Sequence, residues 1–317
     1  MKALLHFAAG SRLMARLSEI VEPRIVVVPE ADDAAFAREI ADADVLLHVL
    51  KPVTSVMIAA APKLKLIQKI GVGVNTIDRD AAQSAGIAVA NMPGTNTAAV
   101  AEHTLALMFA TLRRVVAFDA ATRRGEGWRL PADSMEALGE LSGSRVGLVG
   151  YGAVPQRLAP VLKGLGAEVG FWNRTPRPEA IATPMSLDQL FATSDILSLH
   201  VPLTSDTRHL LDRAAIARLK PGAIVVNTAR GELIDQAALA EALRTGRLAG
   251  AGLDVFETEP VTELGLLADC PTVVTTPHIA WLTPQTWERS LGVIIENCRR
   301  LRCGEPLLHE IARGSDA

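Results

Sequence analysis

The chain reads as an α/β protein built of two parallel-sheet units of unequal size. Short continuous apolar runs alternate with Ala-rich stretches of helical spacing, the pattern of strands buried on both faces between helices. One long Ala/Leu-rich segment, starting at Thr97, interrupts that alternation, which then resumes. Hydrophobic residues make up 49% of the chain and aromatic ones only 4%, the profile of an Ala/Val/Leu-rich α/β protein rather than a β-sandwich. At 317 residues the chain is long enough for two domains, each with its own core.

The first series of strands falls at Leu4–Ala8, Arg24–Val28, Val45–Val49, Leu66–Ile70 and Ala88–Ala90, short runs rich in aliphatic and β-branched residues. Between them, Asp32–Ala41 and Ser55–Ala61 carry helical spacing. From Thr97 to about Arg124 a single long helical segment is expected, ending in basic residues before Gly125, which suits the helix dipole. A Trp- and Pro-containing loop, 127–134, follows. The second series runs through Arg145–Val149, Glu168–Trp172, Ile196–His200, Ala223–Asn227, Leu248–Asp254 and Thr272–Thr275, and a helix from Pro284 to about Arg302 closes it.

Composition narrows the function. A net charge of −3 gives no electrostatic reason to expect nucleic acid or an anionic membrane. Cys270, Cys298 and Cys303 are in no metal-like spacing and read as reduced thiols, so no metal is expected. The apolar run at the start is short, is interrupted by His6 and is followed by Arg12 and Arg16, which favours a first strand over a signal peptide. No stretch approaches the roughly 20 apolar residues that span a bilayer. A soluble, cytoplasmic protein is the expectation.

Val146–Pro155 is a buried strand entering a Gly150-Tyr151-Gly152 turn and then a helix. The first glycine permits the turn, and the second lets backbone N–H groups approach a pyrophosphate at the helix N-terminus. Pro155 stands where a third glycine is usual; the first turn of a helix tolerates proline, whose missing N–H has no partner to lose. NAD would call for an Asp or Glu at the end of the next strand, on the ribose hydroxyls. That strand ends instead in Asn173-Arg174-Thr175, with Arg177 close behind. Loss of the carboxylate removes repulsion against a 2′-phosphate that arginines can bind, so NADP(H) is preferred and NAD(H) is possible. Gly71-Val72-Gly73, after the fourth strand, can hold a carboxylate on its N–H groups or can simply be a turn.

Arg230, Glu259 and His278 each follow a strand of the second series, where parallel α/β sheets bind ligands. An arginine that grips a carboxylate and polarises a ketone, and a histidine charged by a carboxylate, are the parts needed to reduce a 2-oxo acid. A free histidine, with a pKa near 6.5, is only about one-quarter protonated at pH 7, and a rise of about one unit would reverse that. Glu259 is the expected cause of such a rise. His6, His48, His103, His200, His209 and His309 lack comparable companions and read as structural, with His48 a candidate cleft residue.

With these motifs in place, the chain resembles the D-isomer-specific 2-hydroxyacid dehydrogenases over essentially its whole length. The matching stretches are Gly71–Asp78, Asn91–Thr97, Val100–His103, the Gly150 turn, His200–Thr204, Pro221–Gly231, Leu253–Pro260 and Thr276–Ala280. The resemblance implies two Rossmann-like, doubly wound domains, the smaller one discontinuous. Residues 1–95 plus 285–317 would form the substrate-binding domain and 96–284 the dinucleotide-binding domain, with substrate in the cleft. A homodimer using the long helix after Asn96 is also implied.

By the same resemblance Arg230, Glu259 and His278 are the catalytic trio. Val72 and Gly73 offer N–H groups to the substrate carboxylate, and Asn96 lies near the substrate. Trp281 would limit a small pocket, as in enzymes acting on glyoxylate or hydroxypyruvate. The cofactor contacts would be Gly150, Tyr151, Gly152, Ala153 and Val154 in the turn and helix start, and Asn173, Arg174 and Thr175 after the next strand. Val201, Pro202, Thr207, Thr228 and Ala229 would join them, with Asp254 on the nicotinamide amide. Asn75 departs from the family, which commonly has aspartate there.

The expected activity is reduction of a small 2-oxo acid to the D-2-hydroxy acid. Alternatives are an NAD-dependent dehydrogenase for another 2-hydroxy acid and a cofactor-sensing, non-enzymatic interaction protein. A formate dehydrogenase fits less well, because formate oxidation needs no proton exchange and favours glutamine beside the histidine.

Overall fold

The structure is a computed structural model that describes residues 1–129 and 131–312. Leu130, inside the expected 127–134 loop, and residues 313–317, inside the expected C-terminal part of the small domain, lie outside the described residues. The chain divides into two units, Met1–Asn96 with the segment from Leu282 onward, and Thr97–Trp281.

The first unit contains β1 (Lys2–His6), α1 (Ser11–Ser18), β2 (Arg24–Val28), α2 (Asp33–Ile40), β3 (Val45–His48), α3 (Ser55–Ala59), β4 (Leu66–Lys69), α4 (Arg79–Ser84) and β5 (Ala88–Ala90). The strands form one sheet in the order β2-β1-β3-β4-β5, and every pair is parallel. Asp32, Thr54 and Asp78 cap α2, α3 and α4 by accepting a backbone N–H of the first turn. One face of the sheet packs Leu4, Leu46, Ile67 and Val89 against Phe36, Ile40 and Ile58 of the helices.

The second unit holds α5 (Thr97–Leu112), α6 (Val115–Arg123), α7 (Ala132–Glu136), β6 (Arg145–Val149), α8 (Ala153–Gly164), β7 (Glu168–Trp172), β8 (Thr183–Pro184), α9 (Leu187–Thr193) and β9 (Ile196–Leu199). It continues with α10 (Arg213–Arg218), β10 (Ala223–Asn227), α11 (Gln236–Arg244), β11 (Leu248–Leu253) and β12 (Val273–Thr275). Its sheet has the order β12-β11-β10-β9-β6-β7-β8, again wholly parallel. Period-2 alternation divides the strand residues between two cores. Val149, Leu197, Leu199 and Val225 face one, while Val146, Leu148, Ile196 and Val226 face the other. Both faces are therefore covered, as the continuous apolar runs predict.

The last helix, α12 (Pro284–Cys303), returns to the first unit. Thr283 caps it, Pro284 occupies its first turn, and Gly304 ends it with φ +68°. Its buried Asn297 donates to Gln68 Oε1 of β4 at 2.6 Å.

Several expectations are corrected. The helix after Asn96 is broken in two, because Arg114 takes a left-handed conformation (φ 49°) and its N–H closes a tight turn on the Thr111 carbonyl. The break lets α5 stay on its sheet while α6 runs along a mostly exposed course. The expected 127–134 loop is cut short by α7, which starts directly after the fixed φ of Pro131. The two compact units differ from the expected division only at its edges. Asn96 goes with the first unit, where Arg289 Nε holds the adjoining Thr95 carbonyl at 2.6 Å, and residues 282–284 go with the helix that Thr283 caps. The short edge strand β8 is not visible in the sequence pattern.

His6 is buried beside Phe36, and burial, helped by the Lys51 charge, lowers its pKa to about 4; loss of solvent around the ring likewise lowers His200, which bonds Ser198 Oγ, to about 3. Below pH about 6.5 the unfolded chain takes up protons that the folded chain refuses, so stability should fall with falling pH. A Tm series should decline from pH about 6.5 towards 4, and His6→Phe, which keeps a ring beside Phe36, should flatten the slope. An unchanged slope would show that the buried ring is not the source.

Candidate active site

Because the second sheet is parallel throughout, the segments that leave its strands all emerge at one edge. Taken across the sheet, His278 follows β12, Asp254 and Glu259 follow β11, and Arg230 follows β10. Val201 and Pro202 follow β9, the Gly150 turn follows β6, and Asn173 follows β7. The strand order reverses direction between β9 and β6, the point at which open α/β sheets accommodate dinucleotides.

His278 Nδ1 lies 2.6 Å from Glu259 Oε2, and the other carboxylate oxygen accepts the Phe256 N–H at 2.9 Å. Burial works against the charged form of Glu259, but the His278 ring, the Phe256 N–H and the Arg230 charge together hold its pKa below the usual carboxylate value. With Nδ1 held by the carboxylate, Nε2 is the ring nitrogen left for chemistry. Burial lowers the pKa of Arg230, opposed by Glu259 and Glu232, yet a guanidinium starts so far above neutrality that it stays cationic.

The Arg230 segment is shaped by Asn227 at the end of β10. Its side chain donates to the Arg230 carbonyl at 2.7 Å and accepts the Ala229 N–H at 3.0 Å. Gly231 then passes so close to the β11 loop that a Cβ there would lie 1.9 Å from the Phe256 carbonyl carbon. Nothing larger than glycine brings the arginine and glutamate segments together. Neither Asn227 nor Gly231 stood out in the sequence as a functional residue; the Asn-Thr-Ala-Arg-Gly run is the only local sign of them.

At the glycine turn, Gly150 has φ +97°, and a Cβ would come within 2.7 Å of the His200 carbonyl oxygen. A Cβ at Gly152 would meet nothing within 4 Å, which leaves open space in front of α8. No side chain caps α8, so the first-turn N–H groups at Ala153 and Val154 face that space without a helical partner. Pro155 is buried in that first turn, where it removes no helical hydrogen bond. These features fit the diphosphate of a nicotinamide dinucleotide. Asn173 Oδ1 accepts the Tyr151 N–H at 2.9 Å and its Nδ2 donates to the Thr175 carbonyl, which ties the turn to the end of β7. Arg174, Thr175 and Arg177 are exposed beside it.

The remaining expected cofactor residues lie along the same edge. Thr207 Oγ1 donates to the Pro202 carbonyl at 2.7 Å and accepts the Thr204 N–H, closing the loop that begins at Val201. Thr228 is buried against Thr104, their hydroxyls 2.9 Å apart, and Ala229 follows it. Asp254, expected on the nicotinamide amide, is fully buried, and its carboxylate accepts bonds from Thr276 Oγ1, Ile279 N and Ala280 N. Trp281 is 7% exposed, and its indole N–H donates to the His278 carbonyl.

Val72, Gly73 and Asn96 belong to the first unit. There the Gly71 carbonyl accepts the Met92 N–H at 2.8 Å and the Val72 carbonyl accepts Asn91 Nδ2 at 2.9 Å. Each N–H points away from the carbonyl of its own planar peptide, so the Val72 and Gly73 N–H groups are directed away from the 91–92 segment. Asn96 is half-buried. Two histidines have companions that the sequence did not reveal. His103 Nε2 is 2.8 Å from Thr276 Oγ1 and 3.5 Å from Asp254, and His209 pairs with Glu257 at 2.7 Å.

The family model for the D-isomer specific 2-hydroxyacid dehydrogenase, NAD binding domain, matches residues 105–280. The chain belongs to this family. It is 40% identical over 248 residues to a glyoxylate reductase of Aeropyrum pernix, covering 76% of this chain and 74% of that one. Similarity to a D-3-phosphoglycerate dehydrogenase of Mycobacterium tuberculosis is 39% over 296 residues, covering 92% of this chain; the chain spans only 55% of that protein's length. A solved Thermus thermophilus protein superposes with a TM-score of 0.87 at 35% identity, covering 98% of this chain and all of that one. No helix among the described residues is long and apolar enough to cross a membrane, and no His, Cys, Asp and Glu cluster among them could hold a metal ion.

Gly231→Ala should cut turnover by at least about 100-fold, because even a shift of about 1 Å at an aligned site has that effect. Steady-state kinetics alongside a Tm measurement checks it. A folded variant with near-normal turnover would show that the close approach to Phe256 is dispensable.

Proposed function

We propose that the protein reduces a small 2-oxo acid, glyoxylate or hydroxypyruvate, to the D-2-hydroxy acid. The observation that carries this reading is the 2.6 Å contact between His278 Nδ1 and Glu259, with the Arg230 charge acting on the same carboxylate. The bound nicotinamide cofactor, NADPH by preference, supplies the hydride. Arg230 binds the substrate carboxylate and the ketone oxygen and stabilises the negative charge that develops there; such a donor is typically worth about 3–4 kcal/mol in the transition state. His278 gives its Nε2 proton to that oxygen as the carbon receives hydride, and the neutral ring then takes a proton back from solvent. Glu259 stays anionic throughout and orients the ring through Nδ1. Val72 and Gly73 offer N–H groups to the substrate carboxylate, and Asn96 contacts the substrate.

The preference for NADPH is supported by Asn173, which supplies no negative charge at the end of β7, and by exposed Arg174 and Arg177 close by. An NAD-dependent dehydrogenase for another 2-hydroxy acid is the second reading; the name of the mycobacterial relative favours another substrate and the family description names NAD. A homodimer through the helices after Asn96 is also proposed. Phe109, Val115, Val116 and Trp128 are exposed apolar residues on and beside α5 and α6.

Oxidation of NADPH with glyoxylate, hydroxypyruvate and longer 2-oxo acids, followed by absorbance, tests the reading directly; no turnover with any of them would refute it. Glu259→Gln keeps a hydrogen-bonding side chain but removes the anion, so the falling alkaline limb of the reduction profile should move to lower pH. A limb that stays in place would deny Glu259 this role. Asn173→Asp keeps the acceptor for the Tyr151 N–H while placing a charge against a 2′-phosphate. The ratio of kcat/KM for NADH to that for NADPH should rise roughly tenfold, about 1.4 kcal/mol of discrimination. An unchanged ratio would leave Arg174 and Arg177 without a part in cofactor choice.

A further inference from the structure

The proposed proton donor stands in an uncommon backbone conformation. His278 has φ +53°, a left-handed geometry that is unfavourable for a residue with a side chain and persists only where its surroundings over-determine it. Its own N–H donates to the Asp254 carbonyl at 2.8 Å and the Thr276 carbonyl at 3.1 Å. The peptide that follows it is held at both ends. Its N–H, on Ile279, donates to Asp254 Oδ1 at 2.9 Å, and its carbonyl, on His278, accepts the Trp281 indole N–H at 3.1 Å.

The two ends of a planar trans peptide point in opposite directions, so Asp254 and Trp281 grip the same unit from opposite sides. A rotation of that peptide breaks both bonds and changes ψ of His278, which frees the residue to leave the left-handed conformation from which its ring meets Glu259. Ala280 N–H on Asp254 Oδ2, at 2.9 Å, fixes the next peptide as well. The indole is 7% exposed, and a buried indole N–H requires an acceptor, which here is the carbonyl of His278.

We propose that Trp281 is a positioning residue: it locks the 278–279 peptide against Asp254 and thereby aims the His278 ring, instead of serving mainly as a wall that limits substrate size. The proposal rests on His278 being the proton donor. Trp281→Phe retains the aromatic bulk and removes only the donor. Turnover of glyoxylate should fall about three- to tenfold, the usual range for one lost hydrogen bond, with KM for glyoxylate and NADPH changed less than about twofold. The alkaline limb of the profile should shift as the His278–Glu259 contact loosens, a change that a simple loss of packing does not produce.

A variant with normal turnover and an unmoved limb would overturn the lock. So would one that instead gains activity on bulkier 2-oxo acids. Hydrogen exchange at the assigned indole N–H of the unaltered protein gives a second readout that needs no substitution. The Trp281 indole should exchange far more slowly than that of Trp128, which is 89% exposed; equally rapid exchange would refute the bond. His278→Gln separates the two ideas. If it abolishes reduction while Trp281→Phe has no effect, the lock is wrong and the proton donor stands. If it leaves reduction intact, the proton donor is wrong, and indole exchange alone decides the lock.

Discussion

Every reactive group of the second unit depends on one constraint, the parallel alignment of all its strands. A parallel sheet sends each strand end to the same edge, so residues far apart in sequence emerge side by side. The strands themselves are closed, apolar and covered on both faces, which leaves their exits as the place where polar side chains can converge. The site is a property of three neighbouring exits, those of β10, β11 and β12.

What the exits deliver is then fixed by short-range bonds from the strand ends. Asn227 folds the segment before Arg230, and the Phe256 N–H turns Glu259 back towards His278. Asp254 gathers the hydroxyl of Thr276 and the amides of Ile279 and Ala280. Each bond is modest by itself. Together they hold an arginine, a glutamate and a histidine in one geometry, the kind of fixed arrangement that electrostatic catalysis requires. Burial adds to the effect by strengthening the attraction between the glutamate and the Arg230 guanidinium.

The glycine turn works by a different means. Its geometry comes from missing side chains and uncapped N–H groups, and the Asn173 side chain braces it from the neighbouring strand. One amide thus shapes the turn and leaves the end of β7 without a carboxylate.

The sequence by itself determined the fold class and the strands other than β8, and it marked Arg230, Glu259, His278 and Gly150–Gly152 as candidates, because apolar periodicity and short motifs are local properties of the chain. It could not show that Arg114 breaks the helix after Asn96, since the residues on either side keep helical spacing and only the turn's own backbone marks the change. The two-residue edge strand β8 is too short to leave a periodic signal. Tertiary structure alone decided that Gly231 must lie against Phe256, that Asp254 is saturated by the 276–280 loop, and that His103 and His209 have acidic neighbours. Those partners are separated by tens to more than a hundred residues, and only the path of each loop over the sheet edge brings them together. Spacing along a chain encodes which face a residue takes; it does not encode which distant loop will meet that face.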